Sequence, residues 1–230
     1  MKCVLCRLRC VLLVLVFLGA TPLHAQSTLA EGFSKLLPGA KVVMMPADVE
    51  LFQVNAGGDV EPRADWTAAA ANHVREGLRA RKARLGAQVV DAPERADEQF
   101  VELNRLHGAV ATAVVLHHFG MLKLPTKDGK LDWSLGPEVS AIRQSTGADF
   151  AFFTWIRDSY ATGERVAAMI VGALFGVGMP GGIQQAYSSL VDLQTGRIVW
   201  FNRILRPSGD LRESEKAQET LDALLAGFPG

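Results

Sequence analysis

The stretch DFAFFTWIR, Asp149 to Arg157, is apolar on both of its alternating sides. Successive strand residues point to opposite faces, so Phe150, Phe152 and Ile156 share one side and Ala151, Phe153 and Trp155 the other. A strand with two apolar sides has to be covered twice, which makes it the central strand of a sheet with a layer on each face. Working outward in sequence, Tyr187–Leu193 and Ile198–Leu205 read as two further strands. The residues between them, Gln194-Thr195-Gly196-Arg197, form a tight turn, so the pair is a hairpin. Leu211–Leu225 places Ala217, Leu221, Leu224 and Leu225 at helical spacing and reads as a closing helix.

Upstream, Lys41–Met45 is a short apolar run stopped by Pro46, hence a buried strand, with Leu51–Val54 as its extension. A helix capped by Asp65 or Thr67 runs to about Leu85 and stops at Gly86, with Trp66, Ala70, Val74, Leu78 and Leu85 as its stripe. Ala87–Asp91 is a strand. Arg95–His118 is a second long helix, Lys130–Trp133 is half of a small hairpin, and Pro137–Thr146 is a short helix capped by Gly147. The order β-α-β-α-(hairpin)-α-β-insert-β-β-α predicts an α/β sandwich of two or three layers around a mixed sheet of about five strands.

The first 25 residues stand apart. Lys2, Arg7 and Arg9 precede the apolar run Val11–Ala20, and Thr21-Pro22-Leu23-His24-Ala25 supplies a breaker and a small residue before a cut after Ala25. This is the pattern of a secretory signal peptide, with an apolar core too short to span a bilayer. The expected division is a leader at 1–25, a lead-in helix or tether at 26–40, and one domain at 41–230, with its last residues, GFPG, frayed. All three cysteines, Cys3, Cys6 and Cys10, fall in the leader, so the expected mature chain has no disulfide, Cys-zinc site or lipid-bearing cysteine. Removing the leader also takes the net charge from zero to −3, which argues against non-specific nucleic-acid binding. The basic run Arg75, Arg79, Arg81, Lys82, Arg84 then reads as the solvated face of the first helix.

Motifs for catalysis are missing: there is no G-x-S-x-G, S-x-x-K, H-E-x-x-H or P-loop. His107 and His118 stand about 16 Å apart along one helix and cannot share a metal; His107 interrupts an apolar stripe and reads as a core histidine. No catalytic residue, cofactor or metal ligand is therefore assigned. One charged cluster, Arg157, Asp158, Glu164 and Arg165, lies where the central strand is expected to end, the place where open α/β sheets form clefts. It is the alternative ligand site, for a hydrolase or a small-ligand binder.

Between that cluster and the hairpin lies an uncharged insert of 18 residues, Val166–Ile183, within the wider segment 163–183. Its G-x-G-x-x-G (Gly176, Gly178, Gly181) lacks the preceding strand and following helix of a dinucleotide loop. As a helix it would measure about 27 Å, against a hydrocarbon core of about 30 Å, but Gly178, Pro180, Gly181 and Gly182 break it after Val177. What remains is a helix with a small-residue stripe, Ala168, Gly172 and Gly176, opposite Met169, Ile170, Leu174 and Val177. Three readings stay open for it: packing on its own sheet, contact with another protein, or contact with a membrane surface. The expected interaction element is the second, with Ala168, Gly172, Leu174, Phe175, Gly176 and Pro180 as its residues.

Taken together, the K-V-V-M-M-P strand, the strand GADFAFF (Gly147 to Phe153), and the hairpin VDLQTGRIVWFNR (Val191 to Arg203) before a C-terminal helix resemble a known family. They look like the α/β domain of the curli-assembly lipoprotein superfamily. The periplasmic activators of penicillin-binding proteins and the N-terminal domain of the Tol-system periplasmic protein are similar. The resemblance covers most of residues 41–225 at the level of element order. It implies a non-enzymatic periplasmic envelope protein that binds a protein partner or self-associates. The missing lipidation cysteine and the glycine-rich insert depart from the pattern.

Overall fold

Strand β6, Phe150–Ala161, occupies the middle of an eight-stranded mixed sheet. The computed structural model describes residues 26–93, 98–207 and 209–230; the expected leader and the expected helix start at Arg95 lie outside them. In chain order the elements are β1 Gln26–Leu29, β2 Lys41–Met44, β3 Asp48–Val54, β4 Val60–Pro62, α1 Ala64–Arg81, β5 Gln88–Asp91, α2 Glu98–Val114, α3 Ser140–Thr146, β6, α4 Gly163–Leu174, β7 Gln184–Asp192, β8 Ile198–Arg206 and α5 Ser214–Leu224.

The hairpin β7–β8 lies antiparallel on one side of β6, and β1 extends it at the edge. On the other side β2 and β3 share one lane. β2 runs parallel to Phe150–Phe152, and β3 runs parallel to Trp155–Ala161. Pro46, which has no N–H to give to a ladder, falls in the break between them. β5 lies outside β2 and β4 outside β3.

Each face of β6 is covered, so the sandwich has three layers. Phe152 and Ile156 pack with Ala70, Val74 and Leu78 of α1 and Ala217, Leu221 and Leu224 of α5. Ala151 and Phe153 pack with Phe100, Leu103, Ala111 and Val114 of α2 and Ile142 of α3.

Several expectations need correction. The sheet has eight strands rather than about five. Residues 26–40 are neither helix nor tether: β1 pairs with β8, and Ala30, Leu36 and Ala40 are buried. β3 is a full strand and not a short extension. The tail GFPG is packed, because the Phe228 ring meets Phe152 at 5.8 Å and Trp200 at 5.4 Å, and the Pro229 carbonyl accepts the Leu36 N–H at 2.7 Å. Neither Asp65 nor Thr67 caps α1; Asp65 pairs with Arg63, and Thr67 Oγ1 accepts the Leu51 N–H at 2.9 Å. Lys130–Trp133 forms no strand; a single bridge, Ser134 to Arg197, ties that segment to the hairpin turn. The basic run of α1 is not wholly solvated: Arg81 is buried and pairs with Asp222 of α5, Arg84 reaches the same carboxylate, and Lys82 pairs with Asp91.

Candidate functional site

Helix α4 leaves the end of β6 and returns to the start of β7. Thr162 caps it, its Oγ1 accepting the Arg165 N–H at 3.2 Å. The helix stops at Leu174 rather than Val177, and the chain turns back so that the Val177 N–H reaches the Gly172 carbonyl at 2.9 Å.

The helix is inside out. Its one buried residue is the charged Arg165, while Ala168, Met169 and Gly172 are half-buried on the same side. Its apolar side chains face away: Val166, Ile170, Val171 and Leu174 are exposed, Ile170 at 62% and Leu174 at 80%, and Phe175 just beyond the helix is 80% exposed. A globular protein's surface helix ordinarily shows the reverse.

The small-residue stripe faces inward and receives the insert's own return. A Cβ on Gly172 would stand 2.7 Å from Met179 Cε and 3.2 Å from the Val177 carbonyl oxygen. Gly182, at φ 149°, lies so close to β6 that a Cβ would meet the Ser159 carbonyl oxygen at 2.0 Å. Beside it the Ser159 N–H donates to the Ile183 carbonyl at 3.1 Å, and the Ile183 N–H donates to Ser159 Oγ at 2.9 Å. Of the six expected interaction residues, then, Leu174 and Phe175 point outward. Gly176, exposed at φ 76°, forms the turn, Pro180 offers its carbonyl to Arg165, and Ala168 and Gly172 face the protein. Met169 also moves to the inward side, with its Cε 3.0 Å from where a Cβ of Gly181 would be.

The cluster Arg157, Asp158, Glu164 and Arg165 does not converge. β6 continues to Ala161, so Arg157 and Asp158 lie within the strand and point to opposite faces. Arg157 sits 4.5 Å over the Trp155 ring and pairs with Asp48 at 2.8 Å and Glu50 at 3.2 Å. Glu164 is exposed. Arg165 is clasped beneath α4, where its guanidinium donates to the carbonyls of Ala56 and Pro180 at 3.3 Å each.

Asp158, 1% exposed, belongs to a polar chain inside the α1/α5 side of the sheet. The Tyr160 hydroxyl donates to Asp158 Oδ2, and Gln184 Nε2 donates to the same oxygen at 2.6 Å. Tyr160 in turn accepts the Leu211 N–H at 2.9 Å. Gln184 Oε1 accepts from Arg206 Nε at 2.7 Å, and Arg206 Nη2 donates to Thr220 Oγ1 at 2.6 Å. Burial, reinforced by the negative charge of Asp210, pushes the Asp158 carboxyl up to about 6, although the bonds from Tyr160, Gln184 and the Ser159 N–H oppose the rise. Sequence reading missed this chain. Its signal was the period-two continuation Ile156, Asp158, Tyr160, which keeps polar groups on the buried face.

His107 is fully buried, stacks on Phe153 at 4.7 Å, and bonds Ser189 Oγ through Nε2 at 2.6 Å. Burial pushes its pKa down to about 3, so it is a neutral core residue. Among the described residues no group of three or more His, Cys, Asp or Glu side chains could hold a metal ion, and no helix is long and apolar enough to cross a membrane.

At the first turn of α4 an open cavity of about 540 Å³ is lined by Val54, Val60, Pro180, Ile183, Leu205 and Pro207, together with Arg165 and Arg206. No protein-family model and no curated protein matches the chain. Solved structures similar to it include a PelC dodecamer from Paraburkholderia phytofirmans, at 15% identity over 90% of this chain and 96% of that one, with a TM-score of 0.43. The C-terminal domain of LpoB from Salmonella enterica is similar at 14% identity over 77% and 87% of the two chains, TM-score 0.32. A lipoprotein from Neisseria meningitidis is similar at 11% identity over 82% and 99%, TM-score 0.34.

Proposed function

We propose that this protein is an exported, periplasmic accessory protein of the cell envelope that works by binding rather than by catalysis. Its contact element is the outer face of α4, formed by Val166, Ile170, Val171 and Leu174 with Phe175, and its occupant is a protein surface, an envelope partner or a second copy. The observation that carries this reading is the inside-out helix. A soluble chain gains by burying such side chains, and contiguous exposed apolar patches mark interaction surfaces. Export is part of the proposal and is supported by the leader-like pattern of residues 1–25.

The hydrolase alternative needs Arg157 and Asp158 in one site, and their opposite orientations on β6 give it no support. The test is the double variant Leu174→Asp/Phe175→Asp in sedimentation, envelope cross-linking and vesicle flotation. Loss of self-association or of a discrete cross-linked partner, with an unchanged melting curve, supports the proposal. A wild-type protein that stays monomeric and cross-links to nothing overturns it. Flotation that the two aspartates abolish assigns the face to the bilayer instead.

A further inference from the structure

The cavity at the first turn of α4 is separate from the helix's outer face, and its chemistry is specific. Its lining is apolar apart from Ser159, Arg165 and Arg206, and the Arg206 guanidinium turns away to Gln184 and Thr220, which leaves Arg165 as the cation of the site. At about 540 Å³ it falls within the size range of small-ligand sites.

Arg165 is 8% exposed. A guanidinium carries five N–H donors and accepts nothing. Among the described residues it makes two bonds, both at 3.3 Å and to neutral carbonyls, and its buried Nε has no partner. That distance is long for N–H···O. Among the described residues no carboxylate lies within 4.0 Å of Arg165, whereas the buried Arg81 and the half-buried Arg157 each meet one. Arg206 does not share this position: its guanidinium is held by Gln184 and by Thr220 of α5, on the opposite side of the sheet from Leu205 and Ser159. Buried charges persist when they are paired, and guanidinium is the side chain best shaped for carboxylate and phosphate groups.

We propose that this cavity binds an anionic amphiphile, an aliphatic chain ending in a carboxylate or phosphate. Arg165 meets the headgroup, and the chain lies along Val54, Val60, Ile183 and Leu205. This ligand site is independent of the protein contact assigned to the outer face of α4.

The test titrates the purified chain, without residues 1–25, by calorimetry with dodecanoate, dodecyl phosphate, dodecanol and inorganic phosphate, each below micelle-forming concentration. At least one charged dodecyl probe is expected to bind about tenfold or more tighter than dodecanol or inorganic phosphate, since a charge-assisted bond contributes on that scale. Which of the two charged probes is tighter identifies the headgroup. Leu205→Trp, at a half-exposed strand position, fills the cavity and is expected to abolish binding; Arg165→Gln weakens it about tenfold. Should Arg165→Gln fail to fold, Leu205→Trp still decides. Leu174→Asp/Phe175→Asp leaves this binding unchanged, which separates its failure from that of the outer-face reading. Equal binding of dodecanol, equal binding of inorganic phosphate, or no effect of Leu205→Trp overturns the proposal and leaves Arg165 as a structural clasp only.

Discussion

Gln184 stands between an acid and a base: its amide nitrogen donates to Asp158 Oδ2 at 2.6 Å, while its amide oxygen accepts from Arg206 Nε at 2.7 Å. The carboxylate and the guanidinium are thus linked without touching, and the carboxylate keeps the cost of its burial. A pH dependence follows. The Asp158 carboxyl titrates near 6 in the folded protein against an ordinary 3.8. Between those values the folded state holds a proton that the unfolded chain has released, so stability falls as pH rises through this window. Asp158→Asn has a carbonyl oxygen that can accept from both Tyr160 and Gln184 and has no charge to bury. It is expected to flatten the slope and to gain on the order of 2–3 kcal/mol at pH 7. Urea unfolding from pH 4.5 to 7.5 measures this; identical slopes in the two proteins would rule it out.

The α1–α5 contact has the opposite dependence. Arg81 Nε and Nη2 donate to the two oxygens of Asp222 at 3.0 and 2.9 Å. The bond from Arg81, with burial opposing and Arg84 assisting, holds the Asp222 carboxyl below its usual range. This contribution is present above the unfolded carboxylate range and is lost as pH falls through the lowered folded value. Arg81→Met removes the bidentate pair and the bond to the Gln218 carbonyl, at a cost of about 1–3 kcal/mol. Chemical denaturation at neutral pH checks the value, and a smaller loss near pH 2 checks the cause.

Gly182 fixes the return of the insert. Because a Cβ there meets backbone rather than a movable side chain, Gly182→Ala is expected to lift residues 177–183 from β6 and cost more than 1 kcal/mol. Limited proteolysis should show faster cleavage within the insert, with little change in the rest of the fold. A cleavage pattern identical to the wild type would contradict the packing described.

Deleting residues 227–230 removes the Phe228 ring from Phe152 and Trp200 and the Pro229 carbonyl from Leu36. Losing this partly buried aromatic and that hydrogen bond costs about 1–3 kcal/mol. A melting temperature unchanged by the truncation would show that the tail is ornamental.

These contacts mark where sequence reading worked and where it stopped. DFAFFTWIR was legible because two apolar faces admit one environment, and the closing hairpin because Gly196 sits in a tight turn. β1 was not legible: Gln26-Ser27-Thr28 carry no apolar alternation, and the strand is held by ladder bonds to β8. The continuation of β6 past Arg157 was hidden because charged residues read as a strand end, and the partners that make Asp158 tolerable are Tyr160, two residues further along that strand, and Gln184 of β7. In the insert, the spacing of Ala168, Gly172 and Gly176 was plain, but periodicity says only that a helix has two sides. Which side meets the protein depended on Arg165 and on the returning Val177–Met179, and neither follows from spacing.

The pairing of β1 with β8 also sets an order of events. Gln26 and Arg203, joined side chain to side chain, are 177 positions apart, so the first strand has no ladder partner until nearly the whole polypeptide is in the same compartment. Closing such a long loop is entropically unfavourable and slows folding. A chain that must emerge from a translocation channel N-terminus first would therefore carry β1 unpaired through most of its transit. Its edge would find a mate only after β8, which ends at Arg206, had arrived.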